Sequence, residues 1–121
     1  MEAEIRVSGV GRTVDEAGEL AALLEWLQGE RGLAGAIREV RRPPRPSELG
    51  GMVEALAVAL GTGGAAGTFA RSLFAWLRTR RPSLTVTITK DGRSIAVEAS
   101  QARDGDVLSL LREVLDAGDG L

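Results

Sequence analysis

The chain has neither cysteine nor histidine among its 121 residues. Their absence removes thiol nucleophiles, disulfide staples, zinc sites of the Cys/His type and every histidine-dependent triad. Tyrosine is missing too, leaving two Trp and two Phe as the aromatics, too few for a ladder on which successive bases of a nucleic acid could stack. No long apolar span exists either. The uncharged run from Ala55 to Ala70 is interrupted by glycines and bounded by Glu54 and Arg71, and it is shorter than the roughly 20 apolar residues that cross a bilayer. The start, Met1-Glu2-Ala3-Glu4, is acidic where a secretory signal is basic and then apolar, which together with the lack of cysteine gives a cytoplasmic expectation.

What remains is the composition of a folded protein. Hydrophobic residues make up 44% and charged residues 26%, with a net charge of -2, so enough apolar surface is present to build a core. At this length one domain spanning residues 1–121 is expected, with a glycine-rich tail over 117–121 that frays.

Ile5 and Val7 alternate with Glu4, Arg6 and Ser8, the period of a half-buried strand. Thr13 with Glu16 three residues on has capping-box spacing and predicts a helix start. Leu20, Leu23, Leu24 and Leu27 then share one helical face until Gly29 and Gly32. A short strand over 36–41 turns Ile37 and Val40 inward and stops at Pro43, Pro44 and Pro46. From Gly51 to Arg80 the pattern reads as helical, and one unbroken helix of that length would reach about 45 Å. A kink or break is therefore expected at Gly61-Thr62-Gly63-Gly64-Ala65-Ala66-Gly67. Leu84 to Thr89 alternates strictly, and Asp91-Gly92 supplies a type I′ turn into a partner strand with Ile95 and Val97 inward. Asp104 or Asp106 caps a last helix bearing Val107, Leu110, Leu111 and Val114. The resulting order, β-α-β-α-β-β-α, predicts an α+β two-layer sandwich. Its small mixed four-stranded sheet carries the helices on one face, with a right-handed first crossover if the flanking strands are parallel.

The glycine cluster has two readings. Gly61-x-Gly63-x-x-Ala66 matches a relaxed dinucleotide fingerprint, but the fingerprint needs a preceding strand where 52–60 reads as helix, and no P-loop lysine follows. Gly61, Gly63, Gly64 and Gly67 fit close helix packing or a kink better, within a seam of Leu56, Leu60, Ala70, Phe74 and Leu77. Phe69, Leu73 and Trp76 form an adjoining stripe. One small sheet buries one side of a helix, so the two stripes belong either to a central core helix or to a partner interface. Under the second alternative Phe69, Leu73, Phe74, Trp76 and Leu77 are the contact residues, with Trp76 and Phe74 as anchors.

Charge is segregated. Residues 1–37 carry 3 basic and 7 acidic groups, 38–81 carry 8 and 3, and 82–121 carry 4 and 7. A basic middle, including Arg41, Arg42 and Arg45, suits electrostatic guidance of a partner or of a second copy. Negative overall charge and the shortage of aromatics weigh against nucleic acid. No acid is accompanied by a recognisable base. Glu54 is the one carboxylate placed to be partly buried, and an exposed helix start suits it better.

In this order the segments resemble the effector-associated constant component family of actinobacterial biological-conflict systems. The resemblance rests on the Leu23-Leu24-Glu25-Trp26-Leu27 helix, the strand and proline loop over 40–46, the Glu54 to Gly64 run leading into Leu73-Phe74-Ala75-Trp76-Leu77-Arg78, and the Thr/Val hairpin with Asp91-Gly92. It implies a non-enzymatic adaptor or regulatory component with no catalytic residues to carry over, and no cofactor or metal is expected. Its expected partners are proteins, peptidase effectors or signalling NTPases. The surplus apolar surface of the central helix adds the expectation of self-association or docking through that helix. The alternative is a small-ligand or nucleotide sensor using the Gly61 to Gly67 segment.

Overall fold

The computed structural model describes residues 2–9, 15–41, 46, 53–61 and 65–116. Alternation builds the first strand, β1 (Glu2–Ser8), in which Ala3, Ile5 and Val7 are buried. Helix α1 (Glu16–Gln28) follows. Its cap is Asp15, whose carboxylate accepts the Gly18 N–H at 3.0 Å, and the expected cap Thr13 lies outside the described residues. Glu16 is the first helical residue and accepts the N–H of Gly9 at 3.2 Å. It is therefore no capping-box partner. Leu20, Leu23 and Leu27 are buried, and Leu24 is half-buried against the same core.

Strand β2 (Ile37–Arg41) precedes the largest departure from the sequence pattern. Residues 53–59 are not helix but strand β3 (Val53–Ala59). Alanine and leucine favour helix in isolation, yet here they lie between two strands, where pairing and burial override a weak local preference. Leu56 and Val58 face the core, paired with Ile5 and Ala3 of β1. Ala57 stands on the opposite face, between Glu4 and Arg38. Glu54 is accordingly in a strand rather than at a helix start. The register slips there, with Val40 opposite Ala55 but Arg41 opposite Val53, so Glu54 is the extra residue of a bulge. It comes within 3.8 Å of Arg6.

The glycines after β3 thus separate a strand from helix α2 (Ala65–Leu77), and the expected long or kinked central helix gives way to this shorter one. Strands β4 (Thr85–Lys90) and β5 (Arg93–Glu98) form the expected hairpin. Asp91 and Gly92 both have positive φ, 52° and 79°, as a type I′ turn requires. A 3₁₀ turn (Ala99–Gln101) leads to α3 (Gly105–Asp116). Asp104 accepts the Asp106 N–H at 2.9 Å at its start. Leu111, Val114 and Leu115 are buried, whereas Leu110 is 53% exposed and off the core face.

The described strands form a five-stranded sheet in the order β2-β3-β1-β4-β5, with every neighbouring pair antiparallel. This corrects the expectation of four strands in a mixed sheet. β1 and β2 run the same way with β3 between them, and β3 and β4 do so with β1 between them. These are two interleaved β-α-β units, the split arrangement of ferredoxin-like folds, extended here by β5 and α3. The class, α+β with helices over one sheet face, is as the sequence predicts.

All three helices contribute to one core with Ile5, Leu56, Val58, Val86, Ile88 and Val97. α2 packs against both α1 and α3. Lys90, the only lysine, is 2% exposed, and its ammonium donates to the Leu115 carbonyl. It therefore places a cation at the negative end of α3 and ties that helix to β4.

Candidate interaction groove

Both apolar stripes of α2 are consumed within the chain. Phe69, Leu73, Phe74, Trp76 and Leu77 are each no more than 1% exposed, because the neighbouring helices cover the sides of α2 that the sheet leaves free. Trp76 and Phe74 are core side chains in this fold and present no free anchor.

The exposed aromatic is instead Trp26, at 42%. It lies outside the Leu20, Leu23, Leu27 stripe of α1 and leans across to α2. Its indole Nε1 donates to the Ser72 carbonyl at 3.0 Å and to Ser72 Oγ at 2.9 Å. Ser72 Oγ donates in turn to Glu30 at 3.3 Å. These bonds hold a large, partly wet ring in one pose, so little conformational freedom is left to lose when something binds to it.

One helical turn beyond Ser72 comes Trp76, and after the end of α2 comes Arg80. The Arg80 guanidinium stands 4.7 Å over the Trp76 ring and 3.4 Å from the Glu19 carboxylate of α1. Ala22, Glu25, Trp26, Gly29, Glu30, Trp76 and Arg80 line one groove between α1 and α2, of about 520 Å³. The Trp76 Nε1–H is the one buried side-chain polar atom without a hydrogen-bond partner among the described residues. An unmade buried bond of this kind costs about 1–3 kcal/mol.

The arginine edge is only partly described. Arg41 is exposed on β2 and pairs with Glu39 at 3.2 Å, while Arg42 and Arg45 lie outside the described residues. Arg38 crosses the helix-free sheet face to Glu2 at 3.0 Å, passing the small alanines of β3. Its hydrogen bond, ahead of its charge, holds the Glu2 carboxyl below its ordinary value, and the same bond raises Arg38. Arg6 is paired with Glu4 at 2.7 Å. Both arginines of this face are therefore already matched by carboxylates.

Of the glycine cluster, Gly63 and Gly64 lie outside the described residues. A Cβ at Gly61 would meet open space, and one at Gly67 would meet only the guanidinium ends of Arg71 and Arg112, at 3.4 and 3.8 Å. No backbone approaches closely at either position. Among the described residues no three His, Cys, Asp or Glu side chains group so as to hold a metal ion, and no helix is long and apolar enough to cross a membrane.

Trp26, Ser72, Glu30 and Arg80 belong to the groove and its supporting bonds, and the periodicity did not single them out. The available signal was Trp26 itself, a large aromatic placed off the apolar stripe of an amphipathic helix.

Fold and groove together define a small split β-α-β domain whose helical layer carries an aromatic groove with a carboxylate rim. The chain belongs to the family Effector Associated Constant Component 1, whose model matches residues 12–115. No curated protein and no solved structure matches it. The family's name associates its members with effectors, and the resemblance read from the sequence agrees with it.

Proposed function

We propose that the protein is a non-enzymatic adaptor that couples a variable effector to its trigger in a bacterial conflict system, by docking a protein partner on the groove between α1 and α2. The observation that carries this reading is the half-exposed Trp26, pinned to Ser72 at 2.9 and 3.0 Å beside a groove of about 520 Å³. Rigid aromatic residues in concave, partly desolvated surroundings carry much of the energy of protein interfaces. Docking here replaces docking through the apolar stripes of α2, which serve the chain's own core.

The test is calorimetric titration with an effector encoded beside this protein. Trp26→Ala should weaken binding by about 2 kcal/mol or more, the scale of an interface hot spot, while lowering stability by only about 1 kcal/mol for the bonds lost to Ser72. Unchanged affinity would remove the groove from the account.

A second reading keeps one observation in its favour. β3 ends at Ala59 and α2 begins at Ala65, so the Gly61 to Gly67 segment does join a strand to a helix, the context that a phosphate-binding fingerprint needs. The strand belongs to an antiparallel sheet, and the segment lacks the P-loop lysine, which keeps this reading second. Saturable heat with a nucleotide panel, removed by Gly64→Val, would promote it.

A further inference from the structure

We infer that the groove between α1 and α2 takes an arginine side chain, presented by a basic segment of the protein partner. The inference rests on the docking reading above and gives the partner its chemistry.

Arg80 is the internal precedent. Its guanidinium lies 4.7 Å over the Trp76 ring and 3.4 Å from Glu19, so one end of the groove already holds an arginine between an indole face and a carboxylate. At the other end the same elements recur without their cation. Trp26 is 42% exposed with no cation over its ring among the described residues, and Glu25 beside it has no ion pair there. Glu30 adds a second carboxylate to the rim. Helix α1 carries no basic residue, and Asp15, Glu16, Glu19, Glu25 and Glu30 along it and at its ends outnumber the arginine, Arg31, that follows Glu30. Its field therefore attracts a positive segment and repels an acidic one.

Arginine suits this end better than lysine. A planar guanidinium stacks on an indole and forks toward carboxylates at the same time, whereas an ammonium is a compact, strongly hydrated point charge. A purely apolar segment fits less well, because it would strip water from Glu25 and Glu30 without replacing the lost interactions.

The test uses the full chain and a defined probe, the blocked peptide acetyl-Gly-Arg-Ala-Arg-Gly-amide. Its controls carry citrulline or lysine in place of both arginines. The two indole N–H resonances, assigned with Trp26→Phe, are followed by NMR during titration. The arginine peptide should shift the Trp26 signal saturably, the lysine peptide more weakly, and the isosteric, neutral citrulline peptide not at all. Glu25→Gln should weaken the arginine peptide by about tenfold.

Equal shifts from the arginine and citrulline peptides, or no movement at Trp26, would overturn the inference. If the effector still needs Trp26 in that case, the groove stands and only its occupant was misassigned. If the arginine peptide shifts Trp26 while the effector binds Trp26→Ala normally, the arginine site stands and the docking role fails.

Discussion

Two tryptophans of similar sequence context have opposite roles, and burial separates them. Trp76 is 1% exposed and Trp26 is 42% exposed. Trp76→Ala should destabilise the fold by about 3–5 kcal/mol, the usual range for deleting a buried indole, as measured by urea unfolding. Trp76→Phe removes the unpartnered Nε1–H while keeping most of the ring, so its cost should stay below about 1.5 kcal/mol. A large loss from Trp76→Phe would mean that the indole nitrogen has a partner in solution. On the sheet's open face, Arg38 depresses the carboxyl of Glu2. A group depressed in the folded state adds stability above its unfolded value, near 4.5, and that contribution disappears as pH falls through the lowered folded value. Glu2→Gln should therefore flatten the acid limb of the stability curve and leave its alkaline limb unchanged, and an equally steep acid limb would contradict the assignment.

Among the elements, those whose neighbours match their local pattern were legible in the sequence. β1 and the β4–β5 hairpin bury one face and wet the other, so alternation reports them directly. β3 was hidden because both its faces are covered: Leu56 and Val58 meet the core, while Ala55 and Ala57 are buried on the far face beneath longer neighbours. An alanine-rich run without alternation looks like helix until its neighbours are known. Small side chains there also leave space for Arg38 and Glu2 to meet across the intervening strand. The α2 stripes were visible but their use was not, since α1 and α3 bury what a single sheet could not. The groove was legible only through Trp26, because the facing side comes from Trp76 and Arg80, beside Ser72, which is 46 positions from Trp26 in the sequence. The attachment of α3 was equally invisible. Lys90 reaches the Leu115 carbonyl from β4, and Lys90→Met should lower stability by about 1–3 kcal/mol. Amide exchange should accelerate first in α3, and uniform acceleration across the sheet would show that Lys90 acts on the whole core instead.

For the molecule as a whole, the two faces differ in character. The open sheet face is polar, and its arginines Arg6 and Arg38 are matched by Glu4, Glu54 and Glu2, so it offers few unsatisfied charges. The helical face holds the fixed aromatic, the groove and the acidic helix. Charge is segregated along the chain, and Asp15, Glu16, Glu19, Glu25 and Glu30 of its acidic N-terminal third gather along α1 and at its ends. Under the proposed docking, an acidic, aromatic surface suits a basic segment on the partner.

Amide hydrogen exchange of the chain, alone and in complex with its effector partner once the calorimetric titration above has captured it, tests this account most directly. The account predicts slowed exchange over residues 22–30 of α1 and in the turn at 78–80, with little change in β4 and β5. Protection confined to the sheet strands, with 22–30 and 78–80 unchanged, would contradict it.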